Sequence, residues 1–453
     1  MNKQDHFLSR RKFIRTTTTA AIAAPMILES CAPKGTLNHA CIGVGGMGFG
    51  DMNHFLKHPN VRIVAICDVD ANRLAKASEV VPEARKYTDW RELLEKEKDN
   101  IESVNVTVPD HNHFPIAYKA IQLGKHIYCQ KPLCHDIAEV RQLTNASVEH
   151  GVITQLGTQH ASSANDRRAV KLIKKGAIGK VKHIYLCSNR PGAIEKYRLA
   201  GPRPDQGQEP PDYLNWDLWI GTAPTRPFVP KIYHPMIWRS WLDFGTGWSG
   251  DIGCHIFDAV WKGLDLKAPK NVIAEVQESW KNSPERRADN WPQSDHITWI
   301  FPGNDMTESN ELPVEWFDGE FYPPQDIRNL YKGDTYPPES AMLVGTEGAL
   351  LVQHGGSLIL LPQEKFKNYR LPRFKDRNHY HHFADACLGG ENTESHFAQT
   401  GPMNEAILLG TIAIRVPDKL LEWDPVNMKI PNYPDANNYI SRNYREGWHV
   451  AGF

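Results

Sequence analysis

The sequence predicts an α/β protein of two domains, the first built on a parallel sheet and the second of α+β type with an open, largely antiparallel sheet. From about residue 38 to 160, short apolar runs alternate with segments of helical period, which is the pattern of βαβ units. From 161 to 453, a Pro- and Trp-rich stretch precedes isolated strand-like runs, as in antiparallel sheets. At 453 residues, 41% of them apolar, the chain is long enough to bury two cores.

Within the first predicted domain, strands and helices alternate along the chain. The run 61–67 is apolar and β-branched, as expected of a parallel strand that is buried on both faces. Thr88 is a candidate N-cap for the helix that follows it. We predict strands at 39–42, 61–67, 103–108, 126–129 and 152–155, and helices at 46–57, 71–80, 89–97, 112–123 and 136–150. In the second domain we predict a helix at 165–175 and strands at 181–187, 272–278, 296–301 and 342–344.

The turn after the first strand carries the strongest chemical signal. Gly43, Gly45 and Gly48 fit the pattern G-x-G-x-x-G between a predicted strand and a predicted helix. The first glycine permits the tight turn, the second lets the backbone approach a pyrophosphate, and the third lets helix and strand pack closely. Gly46 and Met47 begin the helix, whose N-terminal amides attract an anion. The pattern predicts a Rossmann domain that binds a dinucleotide through this turn.

The end of the second predicted strand favours NAD over NADP. Asp68 stands there, where a carboxylate accepts hydrogen bonds from the ribose hydroxyls and repels a 2′-phosphate. Asp70 is the alternative ribose contact. NAD is therefore the predicted cofactor, with NADP second.

Charge and cysteine patterns exclude other classes of protein. The formal net charge is -1 and no long basic block occurs, so no nucleic-acid partner is expected. The 8 cysteines lack Cys-x-x-Cys spacing, and we expect mostly free thiols. His379, His381 and His382 are too close in the chain to converge on one ion, so no metal site is predicted.

Residues 1–33 are predicted to be a targeting segment that belongs to neither domain. Residues 9–14 read Ser-Arg-Arg-Lys-Phe-Ile, and no acidic residue follows before Glu29. This segment resembles a Tat-type export signal, which implies a periplasmic protein whose partner is the Tat export machinery. Residues 28–31 resemble a lipobox in which Cys31 would carry a lipid anchor, although Glu29 is atypical there. Anchored and free forms both stay open.

Two further stretches resemble the Gfo/Idh/MocA oxidoreductase family. They are residues 108–113, Val-Pro-Asp-His-Asn-His, and 124–133, Gly-Lys-His-Ile-Tyr-Cys-Gln-Lys-Pro-Leu. The resemblance implies that Pro109, His111 and His113 contribute to the cofactor site.

The second stretch also contains the family's Glu-Lys-Pro motif in altered form. In the family this motif follows a strand, and its lysine faces nicotinamide and substrate. The resemblance assigns that role to Lys131, with Pro132 after a cis peptide bond. Gln130 stands where Glu is usual, which changes the electrostatics near Lys131 while keeping the ammonium. We expect Gln130 to lie beside the cofactor.

A third motif supplies an acid and an imidazole. The spacing of four places Asp251 and His255 on one face of a helix. Sugar dehydrogenases of the family use such a pair, with the histidine as general base. A neutral imidazole is suited to take the hydroxyl proton as hydride leaves carbon, and we expect Asp251 to orient or stabilise the His255 ring. The predicted catalytic residues are therefore Lys131, Asp251 and His255.

The substrate side of the site is predicted from one aromatic segment. Residues 238–247 and 421–425 resemble an exported bacterial branch of the family. Trp238, Arg239 and Trp241 are candidates for a cleft wall that binds a polyol, and packing within the scaffold is the alternative. The secondary candidates are Tyr233 and His234.

These motifs together predict an NAD(P)-dependent oxidoreductase that acts on a hydroxyl of a sugar, cyclitol or glycoside by hydride transfer. One alternative is an NAD-dependent glycosidase or lyase that works through a transient keto-sugar and retains its cofactor. Another is a sugar-binding relative without catalysis, which only Gln130 supports. By analogy with the family, a homo-oligomer is expected.

Overall fold

The computed structural model describes residues 35–189 and 202–453. Its first domain is built on a six-stranded parallel sheet in the order β3-β2-β1-β4-β5-β6. β1 lies between β2 and β4, so β2 and β3 extend the sheet on one side of β1 while β4, β5 and β6 extend it on the other. At such a reversal of strand order, a crevice opens at the carboxyl ends of the strands. This order confirms the predicted Rossmann domain. The strands are β1 (Leu37–Ile42), β2 (Val61–Cys67), β3 (Arg85–Tyr87), β4 (Ser103–Val106), β5 (His126–Cys129) and β6 (Thr154–Leu156).

Five helices cover this sheet, and acidic side chains cap three of them. The caps are Asp70, Asp89 and Asp136, each of which accepts hydrogen bonds from backbone amides of the first turn. Thr88 was therefore the wrong N-cap prediction, because the helix begins one residue later than expected and Asp89 supplies the cap. The short strand β3 was not predicted. The helices are α1 (Met47–Leu56), α2 (Ala71–Val80), α3 (Trp90–Glu97), α4 (His113–Gln122) and α5 (Ile137–Glu149).

The second domain contains an eight-stranded sheet in the order β13-β12-β11-β7-β10-β9-β8-β14. Only the pair β7 and β10 is parallel, and the other neighbours are antiparallel. The prediction of a largely antiparallel sheet is confirmed. Its strands are β7 (Val181–Ser188), β8 (Asn271–Val276), β9 (Asp295–Pro302), β10 (Glu311–Asp318), β11 (Glu339–Gly345), β12 (Ala349–Gln353), β13 (Leu358–Leu361) and β14 (Leu421–Glu422).

Two long apolar helices, α8 (Gly247–Leu264) and α14 (Phe397–Arg415), form the core behind this sheet. Trp299 of β9 donates its indole N–H to the Ala406 carbonyl oxygen at 2.9 Å, which fixes α14 against the sheet. The remaining helices are mostly short and lie in connections. They are α6 (Ala164–Lys174), α7 (Trp216–Ile220), α9 (Glu278–Lys281), α10 (Pro284–Asp289), α11 (Gln325–Arg328), α12 (Gln363–Phe366) and α13 (His379–Cys387).

The C-terminal part of the chain returns to the first domain. Phe383 of α13 packs with Phe55 of α1 and Tyr128 of β5 in one buried cluster. The division near residue 160 therefore separates the two sheets, but α13 completes the core of the Rossmann domain.

Three sequence features can be compared with the described structure: apolar helices long enough to span a membrane, the cysteines and the proposed export signal. Across the described residues, no helix combines the length and the apolar character needed to cross a membrane. The seven cysteines of that part of the chain are free thiols, as expected. The proposed export signal, including Cys31, lies outside the described residues.

Candidate active site

A cavity of about 530 Å³ lies at the carboxyl ends of β1, β2, β4 and β5 and reaches into the second domain. Eleven of the predicted site residues line it: Gly43, Gly45, Gly46, Met47, Asp68, Pro109, Gln130, Lys131, Trp238, Arg239 and His255. Lining residues that the sequence did not single out include Arg73, Asp110, Asn112, Gln159, Trp219 and Met236. The crevice of the parallel sheet thus brings the glycine turn together with groups of both domains.

The glycine turn has the geometry that a dinucleotide requires. Gly43 has a positive φ of 81°, and a Cβ there would lie 2.1 Å from the Thr107 carbonyl oxygen. Gly48 does not line the cavity, but a Cβ on it would lie 2.0 Å from the Gly43 carbonyl oxygen. At the start of α1, Gly46 provides no side-chain cap, so the N-terminal amides of the helix remain available to an anion. The chain therefore fits a pyrophosphate at this turn.

Asp68 holds the turn from the adjacent strand. Its carboxylate accepts hydrogen bonds from the Val44 amide at 2.9 Å and from the Asp70 amide at 3.0 Å. Burial raises the pKa of Asp68, although the two amides and Arg73 oppose that effect. Asp70 caps α2 instead and lies 3.1 Å from His234, so Asp68 is the better placed of the two for a ribose.

Lys131, Asp251 and Arg239 form a buried ionic cluster at one wall of the cavity. Lys131 Nζ donates to Asp251 Oδ1 at 2.7 Å and to the Asp251 carbonyl oxygen at 3.2 Å. Arg239 Nε lies 3.5 Å from the same carboxylate oxygen. Burial alone would raise the pKa of Asp251, but the two cations hold it below its ordinary value. The carboxylate therefore stays ionised and keeps the ammonium in place.

This arrangement corrects the predicted partnership of Asp251 and His255. Both residues are on α8, but the Asp251 carboxylate is engaged with Lys131 and Arg239. The Nδ1 atom of His255 is buried without a hydrogen-bond partner. Burial and the nearby Lys131 ammonium lower the pKa of His255 well below its ordinary value, so the ring is neutral at pH 7.

Asp110 is a second carboxylate of this wall that sequence reasoning missed. It accepts a hydrogen bond from the Thr246 hydroxyl at 3.1 Å and is fully buried. Burial and the charge of Asp251 raise the pKa of Asp110 to about 7, which Arg239 and Lys131 only partly offset. The sequence signal that could have indicated it is an acidic residue between Pro109 and His111, in the segment that follows β4.

His111 and His113 were predicted to contact the cofactor, and neither lines the cavity. The ring nitrogens of His113 lie 2.7 Å from the Pro132 carbonyl oxygen and 2.8 Å from that of Val108. Those of His111 lie within 3.3 Å of the Phe244 and Trp219 carbonyl oxygens. Burial lowers the pKa of His111 to about 3 and that of His113 to about 4. Both are positioning residues that join loops around the site.

The predicted substrate wall is only partly correct. Trp238 and Arg239 line the cavity, and the guanidinium lies 4.1 Å from the Trp238 ring centroid. Trp241 does not, because its ring is buried in an aromatic cluster and its indole N–H donates to the Ile232 carbonyl oxygen at 3.0 Å. Tyr233 is fully buried in that cluster, whereas His234 lines the cavity.

The histidines at 379–382 serve other purposes. His379 lies between the Ser162 hydroxyl and the Leu156 carbonyl oxygen, at 2.8 and 2.9 Å. His382 lies 3.0 Å from the guanidinium of Arg377. In the ranges 35–189 and 202–453, no three His, Cys, Asp or Glu side chains are arranged to hold a metal ion.

Comparison with known families explains this geometry. Residues 37–158 match the model of the oxidoreductase family with an NAD-binding Rossmann fold, and residues 163–330 match the C-terminal alpha/beta domain of the same family. The chain belongs to the Gfo/Idh/MocA oxidoreductase family. Its first domain is thus the family's NAD-binding domain.

Individual relatives of this Gfo/Idh/MocA protein are distant. A glycosyl hydrolase family 109 protein of Shewanella sp. is 26% identical over 182 residues, or 37% of this chain and 39% of the relative. An inositol 2-dehydrogenase of Salmonella paratyphi B is 27% identical over 147 residues, or 32% of this chain and 43% of the relative. The chain therefore spans about two fifths of the curated relatives it matches. The WlbA dehydrogenase of Chromobacterium violaceum, solved with NADH and UDP-GlcNAcA, has a TM-score of 0.60 and 12% identity, covering 88% of this chain and 99% of that chain.

This Gfo/Idh/MocA protein has Gln130 where glutamate is usual in the family, and the Gln130 side chain binds Asp51 of α1. The Gln130 side-chain amide donates to Asp51 Oδ2 at 2.9 Å. Tyr380 and Thr107 donate to the same buried carboxylate at 2.7 and 2.8 Å. A glutamate at 130 would set a second carboxylate against Asp51, whereas the amide of Gln130 satisfies it. Gln130 thus supports the base of the cavity beside Lys131.

Proposed function

We propose that this protein is an NAD-dependent oxidoreductase that oxidises a hydroxyl of a sugar, cyclitol or glycoside by hydride transfer. The observation that carries the proposal is the convergence of Lys131 and His255 on the cavity that also contains the glycine turn. When bound, NAD supplies the acceptor for the hydride.

The residues of the chain supply binding, orientation and proton transfer. Lys131 donates a hydrogen bond to the substrate oxygen, and its attachment to Asp251 fixes the direction of the ammonium. The neutral imidazole of His255 takes the hydroxyl proton while hydride leaves the carbon. Asp251 stabilises the charge of Lys131 and not, as the sequence predicted, that of His255.

A polyol substrate fits the second-domain wall of the cavity. Arg239 and Trp238 present a guanidinium stacked on an indole, and such a pair combines hydrogen-bond donors with an apolar face. Relatives act on cyclitols or bind nucleotide sugars, as the inositol 2-dehydrogenase and the WlbA complex show for those proteins. We therefore propose hydroxyl-rich rings as the substrate class.

The test is a substrate screen with purified full-length chain. NAD and NADP are titrated by fluorescence, and sugars, cyclitols and glycosides are then scanned for formation of NADH. We expect Lys131→Met and His255→Ala each to lower kcat/KM by about 10²-fold or more, with little change in NAD affinity. The exposed Lys57→Met serves as the matched control. Unchanged turnover in both site variants, or absence of nicotinamide binding, would overturn the proposal.

A redox-neutral glycosidase is the second candidate, and the similarity to glycosyl hydrolase family 109 proteins favours it. In that reading the hydride returns to the sugar after the glycosidic bond has been cleaved. Cleavage of a glycoside without net NADH, by protein whose cofactor co-purifies, identifies this activity. Sugar binding with no change in cofactor absorbance would instead identify a protein without catalysis.

We also propose export to the periplasm by the Tat machinery, and a homo-oligomeric state. The support for export is the segment Ser-Arg-Arg-Lys-Phe-Ile at residues 9–14. Replacing Arg10 and Arg11 by Lys should retain the protein in the cytoplasmic fraction. Detergent partition of wild type and Cys31→Ser reads out a lipid anchor, and light scattering gives the oligomeric mass.

A further inference from the structure

Three histidines from separate elements lie in a row next to the proposed active site. His255 belongs to α8, His354 to the β12–β13 hairpin, and His160 to the 3-10 turn after β6. The ring centroids of His255 and His354 are 4.8 Å apart, and those of His354 and His160 are 4.5 Å apart. At such separations, ring rotation or one water molecule can bring neighbouring ring nitrogens into hydrogen-bond contact.

The two ends of this row face different cavities. His255 lines the cavity of the glycine turn, whereas His160 lines a second cavity of about 570 Å³. The second cavity is lined by the exposed residues Gly355, Lys375 and Asp376, so it communicates with solvent. The histidine row therefore connects the proposed site of chemistry with water on another side of the molecule.

The backbone holds the middle histidine between the other two. The His354 amide donates to the Glu339 carbonyl oxygen at 2.9 Å, which fixes the start of the hairpin turn. Gly355 follows with a positive φ of 64°, and a Cβ on it would lie 2.9 Å from His160 Cε1. A residue with a Cβ at this point would therefore need the His160 ring to shift and would also adopt a strained positive φ.

The surroundings favour the neutral forms of His160 and His255 and separate the row from the nearest other histidine. Burial lowers the pKa of His160, against the charge of Glu339, and burial with Lys131 lowers that of His255. His379 faces the same region, but Ser162 and Leu156 occupy both of its ring nitrogens. The buried Nδ1 of His255, in contrast, has no partner.

We propose that His255, His354 and His160 form a proton relay that carries the substrate proton from the active site to the second cavity. The inference rests on the proposed oxidation. The C–H electron pair goes to NAD as hydride, the O–H proton goes to His255, and the carbonyl is left behind. His255 then loses a proton from its other nitrogen to His354, His354 passes one to His160, and solvent in the second cavity receives it.

The relay also has a consequence for the choice between the two candidate activities. Net oxidation releases one proton per turnover, so the site needs an exit for it. A redox-neutral glycosidase returns both hydride and proton to the sugar and needs no exit. A relay that limits turnover therefore favours net dehydrogenation.

The test compares His354→Gln and His160→Gln with wild type in full-length protein, and the exposed His449→Gln serves as the matched control. We expect both relay variants to lower steady-state turnover roughly tenfold or more at unchanged NAD affinity, with partial recovery in imidazole buffer. Recovery by imidazole separates proton transfer from a structural role, because a misfolded site gains nothing from added buffer. The solvent deuterium isotope effect on kcat should rise in both variants.

A second measurement does not depend on turnover. Nitrogen NMR of labelled histidines should show that the titration of His255 shifts when His160 is replaced by Gln, because the rings are coupled through His354. Equal turnover and isotope effects in wild type and both variants, or an unchanged His255 titration, would overturn the relay. A wild-type protein that oxidises no polyol, yet shows the coupled titration, would contradict the proposed function while leaving the coupling of the three rings supported.

Discussion

Replacing Gln130 by Glu tests the charge balance at the base of the cavity. In the wild type, Gln130 donates to the buried Asp51 carboxylate at 2.9 Å. The variant removes a hydrogen bond to a charged group, worth about 1.5–3 kcal/mol, and places a second carboxylate in its position. We therefore expect the free energy of unfolding at pH 7 to fall by at least about 2 kcal/mol.

The loss of stability in Gln130→Glu should become smaller at low pH. Burial already raises the pKa of Asp51, and a neighbouring carboxylate raises it further. A carboxyl whose pKa is raised in the folded state contributes its stability at low pH and loses it as pH rises through the folded value. The difference in free energy of unfolding between Gln130→Glu and wild type should therefore shrink as pH falls through the raised pKa of the two neighbouring carboxyl groups.

Denaturant unfolding at several pH values measures this difference in free energy of unfolding, and two further variants make the test specific. Gln206→Glu adds the same charge at an exposed position and should behave like wild type. The double variant Asp51→Asn with Gln130→Glu exchanges the amide and the carboxylate, and should recover most of the lost stability. Equal stability of Gln130→Glu and wild type at pH 7, or no recovery in the double variant, would refute the reasoning.

Three further predictions concern the site and its support. Because burial raises the pKa of Asp110 from 3.8 to about 7, wild type should lose stability as pH rises through that interval, and Asp110→Asn should flatten the profile in denaturant titrations. Gly48→Ala should weaken NAD roughly tenfold or more in fluorescence titration, because its Cβ would lie 2.0 Å from the Gly43 carbonyl oxygen; unchanged affinity would contradict the geometry. Trp241→Ala should lower the free energy of unfolding by about 3–5 kcal/mol, whereas Trp238→Phe should mainly raise KM; the opposite pattern would exchange their roles.

The order of elements in the first domain could be predicted because its signals are local. Alternating apolar runs and the glycine turn lie within a few residues of the structure that they specify. Strand β3 was missed because three residues, two of them exposed, carry almost no apolar pattern. The parallel pairing of β7 with β10 and the packing of α13 against α1 depend on contacts between distant parts of the chain, which no local pattern indicates.

In the candidate site, too, local sequence signals were predictive and contacts between distant parts of the chain were not. Helical spacing placed Asp251 and His255 on one helix, but it does not specify which distant side chains meet that helix. Lys131 arrives from the first domain and Arg239 from the segment before α8, and together they engage Asp251. Asp110 was missed because its raised pKa depends on burial and on Asp251, and both are properties of the folded molecule.

The hydrogen bond between Tyr380 and Asp51 spans 329 positions of the chain. During synthesis, the helix that follows the glycine turn emerges from the ribosome long before the tyrosine that completes its surroundings. The cofactor domain therefore cannot reach its final packing until the chain has been synthesised past Tyr380, whereas a domain that is continuous in sequence can pack as soon as it has emerged. If the proposed Tat route is used, completed packing around the cofactor site would show that the chain has been synthesised past Tyr380, which is a condition for export in the folded form.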